Sequence, residues 1–454
     1  MSEATGAAPQ ADAAPAIRTT YPGPRSRAVL ERMAVVEGAG LRTGGGGPAP
    51  LVVESANGSL LTDPDANVFI DLYASFAAAT LGHCHPEVTD AIQRQAGRLT
   101  HASSAFATEV RAEFQEALLE IAPAGLDRSL LAITGADANE LALKLARTAT
   151  GRHDVIAFSG GYFGRAAGIA GLNGKAAFRT RVGIDADAHF FPYPYPYRWE
   201  LGEPEEAGRQ VLQLIATALE DGASGIGAPA AIFVEPIQGN GGVVIPPDGF
   251  LEGLRFLCDR HGALLVFDEI QAGFGRSGTM WAAERWGVSP DLMTVGKGIG
   301  GGVALAAVVG RSEHMSHWEP GTHTSTFLAN GLNLAAGVAA IGVMRRDRLW
   351  ERSAELGALL LDRLRRDLAS DDGVGEVRGA GLFIGLELVS DHESRRPDRQ
   401  RAARVRQGCL EAGVIVGLGG HAENVVKVSP PLTISEPQLD AAASILIDTI
   451  RGTS

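Results

Sequence analysis

Apolar residues recur along this chain in short runs, separated by stretches with helical spacing. The runs SLLAIT (129–134), DVIAF (154–158), AAIFVEPI (230–237), ALLVFDEI (263–270) and ALAAVVG (304–310) read as strands buried on both faces. Between several of them, ANELALKLART, RQVLQLIATALEDG and GFLEGLRFLCDRHG place their apolar residues at the helical period. That alternation predicts an α/β fold with a mostly parallel sheet. Upstream, LVVESANGSLLTDPDANVFIDLY predicts short strands joined by a hairpin turn at Asn57-Gly58 and a tighter corner at Asp63-Pro64-Asp65. After about Leu349 comes a long amphipathic helix (ERSAELGALLLDRLRRDLAS). GLFIGLELV, a basic loop (RRPDRQRAARVR) and VVKVSPPLTI follow, as in a smaller α+β domain. The expected division is a disordered tail over 1–24, an N-terminal segment joining the small domain over 25–80, a large domain over 81–345 and a C-terminal small domain over 346–454. Gly44–Gly47 with Pro48 and Pro50 reads as a flexible connection.

Composition narrows the function. No apolar run approaches the ~18 residues needed to span a membrane. The net charge of −13 argues against a nucleic-acid partner, which needs a basic footprint. Cys84, Cys258 and Cys409 lie far apart, which is neither a disulfide framework nor a thiolate metal site, and points to a reducing, cytoplasmic setting. The first ~20 residues lack the apolar core of a signal peptide.

Only four of the 40 basic residues are lysines: Lys144, Lys175, Lys297 and Lys427. Lys144 fits a solvated helix face and Lys175 a Gly-rich surface loop. Lys297 stands apart, in DLMTVGKGIGGG, where an apolar run enters a glycine-rich turn. A partly desolvated lysine there can lose its proton and act as a nucleophile. Upstream, a strand ends in Asp268-Glu269-Ile270-Gln271, at the edge where open α/β sheets bind ligands. A buried aspartate facing a pyridine nitrogen keeps it protonated, so the ring accepts electrons. Gly135 and Ala136 begin a helix and offer amides to a phosphate. In Gly160-Gly161-Tyr162-Phe163-Gly164-Arg165, Tyr162 is suited to stack on a planar ring and Arg165 to grip a carboxylate.

In this order, FIDLYASFAAATLGHCHPEV, TGADANELALKLAR, GGYFGR, VEPIQGNGG, LLVFDEIQAGFGRSG, TVGKGIGGG, THTSTFLAN and VVKVSPPLTI resemble the class III, ornithine/4-aminobutyrate-like aminotransferases. These are pyridoxal 5'-phosphate enzymes of fold type I, with a small domain built from both chain ends. The resemblance covers nearly the whole chain after the tail. It implies that Lys297 forms the internal aldimine, Asp268 pairs with the pyridinium nitrogen, and Gln271 contacts the ring's phenolic oxygen. Tyr162 would stack on the ring, Gly135 and Ala136 would bind the phosphate, and Glu235 would lie near the cofactor. Thr326 would reach the phosphate of the neighbouring subunit, which implies a homodimer with shared active sites. His83-Cys84-His85-Pro86 looks like a metal site by composition, but in this family it forms a structural turn.

Departures from the family concern the substrate. Where ornithine and 4-aminobutyrate enzymes carry a glutamate after EPIQG and an arginine before PPL, this chain has Asn240 and Lys427. Arg165 keeps the arginine that the resemblance assigns to a distal carboxylate, which makes glutamate or 2-oxoglutarate plausible. Phe76 lies where relatives line the substrate pocket and suggests an apolar wall. The function expected is amino transfer between an amino acid or ω-amine and a 2-oxo acid. A racemase, epimerase or lyase on the same scaffold is the main alternative. Gly296-x-Gly298-x-x-Gly301 also matches a dinucleotide fingerprint, but the strand-like ALAAVVG follows where that site needs a helix.

Overall fold

The computed structural model describes residues 15–38, 40 and 50–453. Its centre is a seven-stranded sheet in the order Arg128–Ala132, Ala306–Gly310, Leu292–Val295, Leu264–Asp268, Ala231–Val234, Val155–Phe158 and His189–Phe191. All neighbours are parallel except around Ala306–Gly310, which runs antiparallel to both strands beside it. The two-residue period of each strand feeds two cores. Val155 and Ala157 face the helix Gly135–Thr150, with Leu141 and Leu145. Ile156 and Phe158 face the helices Ala207–Glu220 and Phe250–His261, with Val211 and Leu254. Sheet positions expected from the apolar runs are occupied as predicted. The short edge strand His189–Phe191 lacks such a run, and its residues are only half-buried.

The helix that matters most for the site, Gly135–Thr150, is set by its ends. The Thr134 side chain accepts from the Asp137 amide, and Gly151 closes the helix at φ 68°. Its first two amides, of Gly135 and Ala136, have no intrahelical acceptor.

Two smaller sheets flank the centre. Ser55–Asn57, Leu60–Thr62 and Val68–Asp71 form a meander with the expected turn at Gly58, and Val68–Asp71 pairs in parallel with Val414–Ile415. Val374–Ala380, Phe383–Leu388, Val425–Val428 and Gly417–Gly419 form an antiparallel sheet. Early and late chain segments therefore share hydrogen bonds.

Two expectations need correction. The tail expected over 1–24 is cut short: Ala16 bridges Val68, the Arg18 and Thr19 amides donate to Asn67 Oδ1, and Tyr21 is buried. Residues 1–14 and the Gly44–Gly47 connection lie outside the described residues. The basic segment read as a loop enters a helix, Arg399–Glu411. Asp398 caps it by accepting from the Arg401 amide, and Arg401 is itself buried, its guanidinium paired with Asp371. Counting arginines as solvated hid that helical face. Among the described residues no helix is long and apolar enough to cross a membrane.

Candidate active site

Lys297 begins a short turn directly after the strand Leu292–Val295. Its φ of 46° is left-handed, an unfavoured state for a residue with a side chain. Gly298 lets this turn pack: a Cβ there would lie 2.6 Å from Thr80 Oγ1. Burial lowers the Lys297 pKa from the ordinary lysine value, while Asp268 and then Glu235 pull it upward. Of the other lysines, Lys144 pairs with Glu140 one helical turn away.

Asp268 ends the neighbouring strand and is buried. Its Oδ1 accepts from the Ile270 amide at 2.9 Å, and its Oδ2 accepts from Asn139 Nδ2 at 2.8 Å. Burial pushes its pKa up, against the Ile270 amide, the Lys297 charge and the Asn139 amide. A cation on its remaining lone pairs would reverse that shift. Asn139 is held in turn by donating to the Phe163 carbonyl (3.0 Å) and accepting from Thr294 Oγ1 (2.8 Å).

Glu235 works as a clamp. Its Oε1 accepts from the Tyr162 amide at 3.0 Å and its Oε2 from the Gly239 amide at 2.9 Å. It thereby ties the Tyr162 loop to the Gly239 loop. Burial, and next the charge of Asp268, raise its pKa. Gly239 is crowded by Gln271, whose Oε1 would lie 2.1 Å from any Cβ there. Gln271 Nε2 donates to the Phe76 carbonyl at 3.4 Å. Lys427 is buried beside the same loop, its Nζ donating to the Gly239 carbonyl at 3.3 Å.

A cleft of about 580 Å³ opens beside these residues; Tyr73, Phe76, Phe178 and Asn240 are on its wall. Phe76 belongs to a left-handed turn in which Ala74, Ser75, Phe76 and Ala77 all have φ between 45° and 67°. The structure thus brings Lys297, Asp268, Glu235, Tyr162, Gln271, Phe76, Asn240 and Lys427 to one region. Arg165 is exposed, its guanidinium 4.6 Å from the centre of the Phe178 ring, whose edge meets Tyr162. Thr326 is exposed on the segment before the helix Gly331–Arg346. His83 is held by Asp71, 2.8 Å from its Nε2, and its backbone pairs with Gly58, as in a structural turn.

Sequence reasoning missed Asn139, Thr294 and Phe178. Asn139 left a signal: it is a polar residue on the face of the helix that also carries the buried Ala142, Leu143 and Ala146. Phe178 left none, because it stands alone among alanines and basic residues in a short, partly exposed segment.

The donor set suits a phosphate-bearing pyridine. Two helix-start amides without an intrahelical acceptor, a carboxylate with lone pairs to spare and a buried lysine whose pKa burial lowers are what such a group requires. The model of the class-III aminotransferases matches residues 43–450, and the chain belongs to that family. The diaminobutyrate–2-oxoglutarate aminotransferase of Rhizobium meliloti (strain 1021) is 37% identical over 410 residues, covering 87% of each chain. The alanine/serine racemase of Pyrococcus horikoshii (strain ATCC 700860 / DSM 12428 / JCM 9974 / NBRC 100139 / OT-3) is 32% identical over 447 residues, 97% of this chain and 93% of that one. Among solved structures, the taurine:2-oxoglutarate aminotransferase of Bifidobacterium kashiwanohense, in complex with PLP and glutamate, matches with a TM-score of 0.86 and 27% identity, over 94% of this chain and 97% of that chain. The protein is accordingly a class III pyridoxal-phosphate enzyme.

Proposed function

We propose that this enzyme is a transaminase that moves an amino group between an amino acid or ω-amine and a 2-oxo acid, with a dicarboxylic acid such as 2-oxoglutarate as one partner. The observation that carries this reading is the cleft itself. Phe76 and Phe178 give it an apolar wall, Arg165 packs on the Phe178 ring and the buried Lys427 lies on the Gly239 carbonyl nearby, which together offer room for an amine and charge for an acid. Bound pyridoxal phosphate supplies the electron sink that stabilises the substrate carbanion.

The residues divide the work. Lys297, whose pKa burial lowers, is the base placed to take the substrate's Cα proton. Asp268, braced by Asn139 and the Ile270 amide, would hold a proton on the ring nitrogen. The Gly135 and Ala136 amides would hold the phosphate, Tyr162 would cover the ring, and Gln271 would orient it. Glu235 keeps the two loops in register. Asn240 and Lys427 replace the glutamate–arginine switch with a neutral amide and a fixed point charge. Arg165 supplies one arm for a distal carboxylate. On this reading the chain divides into a large domain around the seven-stranded sheet and a small domain drawn from both chain ends. It acts as a homodimer: the exposed Phe327, beside Thr326, packs on His101 near the exposed Phe106, as a partner-facing patch would.

The similarity to an alanine/serine racemase supports a second reading, racemisation on the same site. Half-reactions separate the two. Adding candidate amines singly should bleach the cofactor's visible band, and a 2-oxo acid should restore it. Lys297→Ala should abolish both changes. Scrambling of a single amino acid's chirality with no oxo acid present would instead establish the racemase.

A further inference from the structure

The cleft wall holds a cation that neither the family resemblance nor the switch positions single out. Lys175 sits in the loop between Ala167–Ala170 and Ala177–Thr180, and lines both the 580 Å³ cleft and an adjoining cavity of about 240 Å³. Asn240 and Gly420 line both spaces with it, so Lys175 stands at their junction. Its Nζ lies 5.6 Å from the centre of the Phe178 ring, the ring that also carries Arg165. Its Nζ is also 3.9 Å from Glu423 Oε1. Glu423 comes from the turn between Gly417–Gly419 and Val425–Val428, so the pair joins the loop beside the central sheet to the C-terminal sheet. The ion pair is loose, and both partners are partly exposed. Arg399 holds Glu423 more closely, at 2.6 Å. Lys175 can therefore leave Glu423 without stranding that carboxylate.

We infer that Lys175 is the second arm for the distal carboxylate of a dicarboxylic 2-oxo acid, with Glu423 as its resting counter-ion. This rests on the transaminase reading for the identity of the acid, but not for its binding. A carboxylate entering beside Phe178 approaches two cations that pack on that ring, Arg165 at 4.6 Å and Lys175 at 5.6 Å from its centre. An amine donor without a distal carboxylate leaves Lys175 on Glu423. A single cleft then serves both partners by exchanging one counter-ion for another, in place of the missing switch.

Binding and turnover test this separately in the full-length holoenzyme. Glutarate carries both carboxylates but no reacting oxo group. By calorimetry, Lys175→Met should weaken it by roughly 10- to 100-fold, the range of a lost charge-assisted hydrogen bond. Lys175→Arg should restore most of that. Butyrate, with one carboxylate, should shift by less than about threefold. Glu423→Gln should tighten glutarate by roughly two- to fivefold by removing the competitor. In half-reactions, Lys175→Met should raise the half-saturating 2-oxoglutarate concentration by a similar factor, and that of pyruvate far less. If Lys175→Met left glutarate binding unchanged, or weakened glutarate and butyrate equally, the assignment would be overturned. The same holds if Arg165→Met carried the whole effect. If glutarate followed the pattern but no 2-oxo acid restored the visible band in the unmodified enzyme, Lys175 would stand as a dicarboxylate site and the transaminase reading would fall.

Discussion

Asn139→Leu removes a residue of similar size that holds Asp268 from behind. Three bonds go with it: Nδ2 to Asp268 Oδ2 at 2.8 Å, Nδ2 to the Phe163 carbonyl at 3.0 Å, and Thr294 Oγ1 to Oδ1 at 2.8 Å. The first is a bond to a charged group, in the range of about 1.5–3 kcal/mol, and all lie in buried surroundings. Asp268 then keeps only the Ile270 amide as a neutral donor. Its charged form loses support, and its pKa moves further in the direction burial already drives it. Transmitted to the ring nitrogen, that loss corresponds to roughly 10- to 100-fold in cofactor affinity and turnover. Equilibrium titration of the apoenzyme with pyridoxal phosphate measures the first, and saturating half-reaction rates the second. Thr294→Val removes only the outer bond and should cost about 1 kcal/mol, under tenfold. If Asn139→Leu kept both quantities within twofold, with an unchanged melting temperature, Asn139 would not position Asp268.

Backbone strain gives a prediction of opposite signs. Ser75 is exposed at φ 51°, so Ser75→Gly should relieve a left-handed penalty of about 1–2 kcal/mol against about 0.5–1 kcal/mol of added chain entropy, a small rise in melting temperature. Ser75→Val should lower it by more than the equivalent of about 1 kcal/mol; a fall for glycine would show that the turn is not left-handed in solution. For assembly, light scattering should find a dimer, and Phe327→Asp, which charges the exposed patch beside Thr326, should weaken it together with cofactor binding. A fully active monomer would contradict the shared site.

The parts legible in the sequence are those whose chemistry and position coincide. Lys297 and Asp268 stand at the ends of buried apolar strands, and a charge there has no bland role to play. The central strands were equally plain, because burial on both faces leaves an unbroken apolar run. Arg399–Glu411 was not, since its buried Arg401 carries a charge neutralised by Asp371, distant in sequence. The same physics hid the substrate end. Lys175 and Glu423 are each an ordinary surface charge alone, and only the fold sets them 3.9 Å apart on one cleft.

Strain marks the cleft and the turns around it as well. Among the described residues, twelve other than glycine have positive φ, and Ala74, Ser75, Phe76, Ala77, Lys297 and Glu423 account for half of them. Left-handed backbone at such residues persists only where surrounding packing over-determines it. Here Gln271 holds the Phe76 carbonyl, Gly298 packs the Lys297 turn against Thr80, and Arg399 pins Glu423. Each support comes from a different segment, so the wall is fixed before a substrate arrives. A pre-formed wall spares the binding step the entropy of ordering it. What remains adjustable is the ends of long side chains, Lys175 and Arg165 around the Phe178 ring. A rigid backbone with two movable cations is an arrangement in which one cleft accepts an amine and an acid in turn.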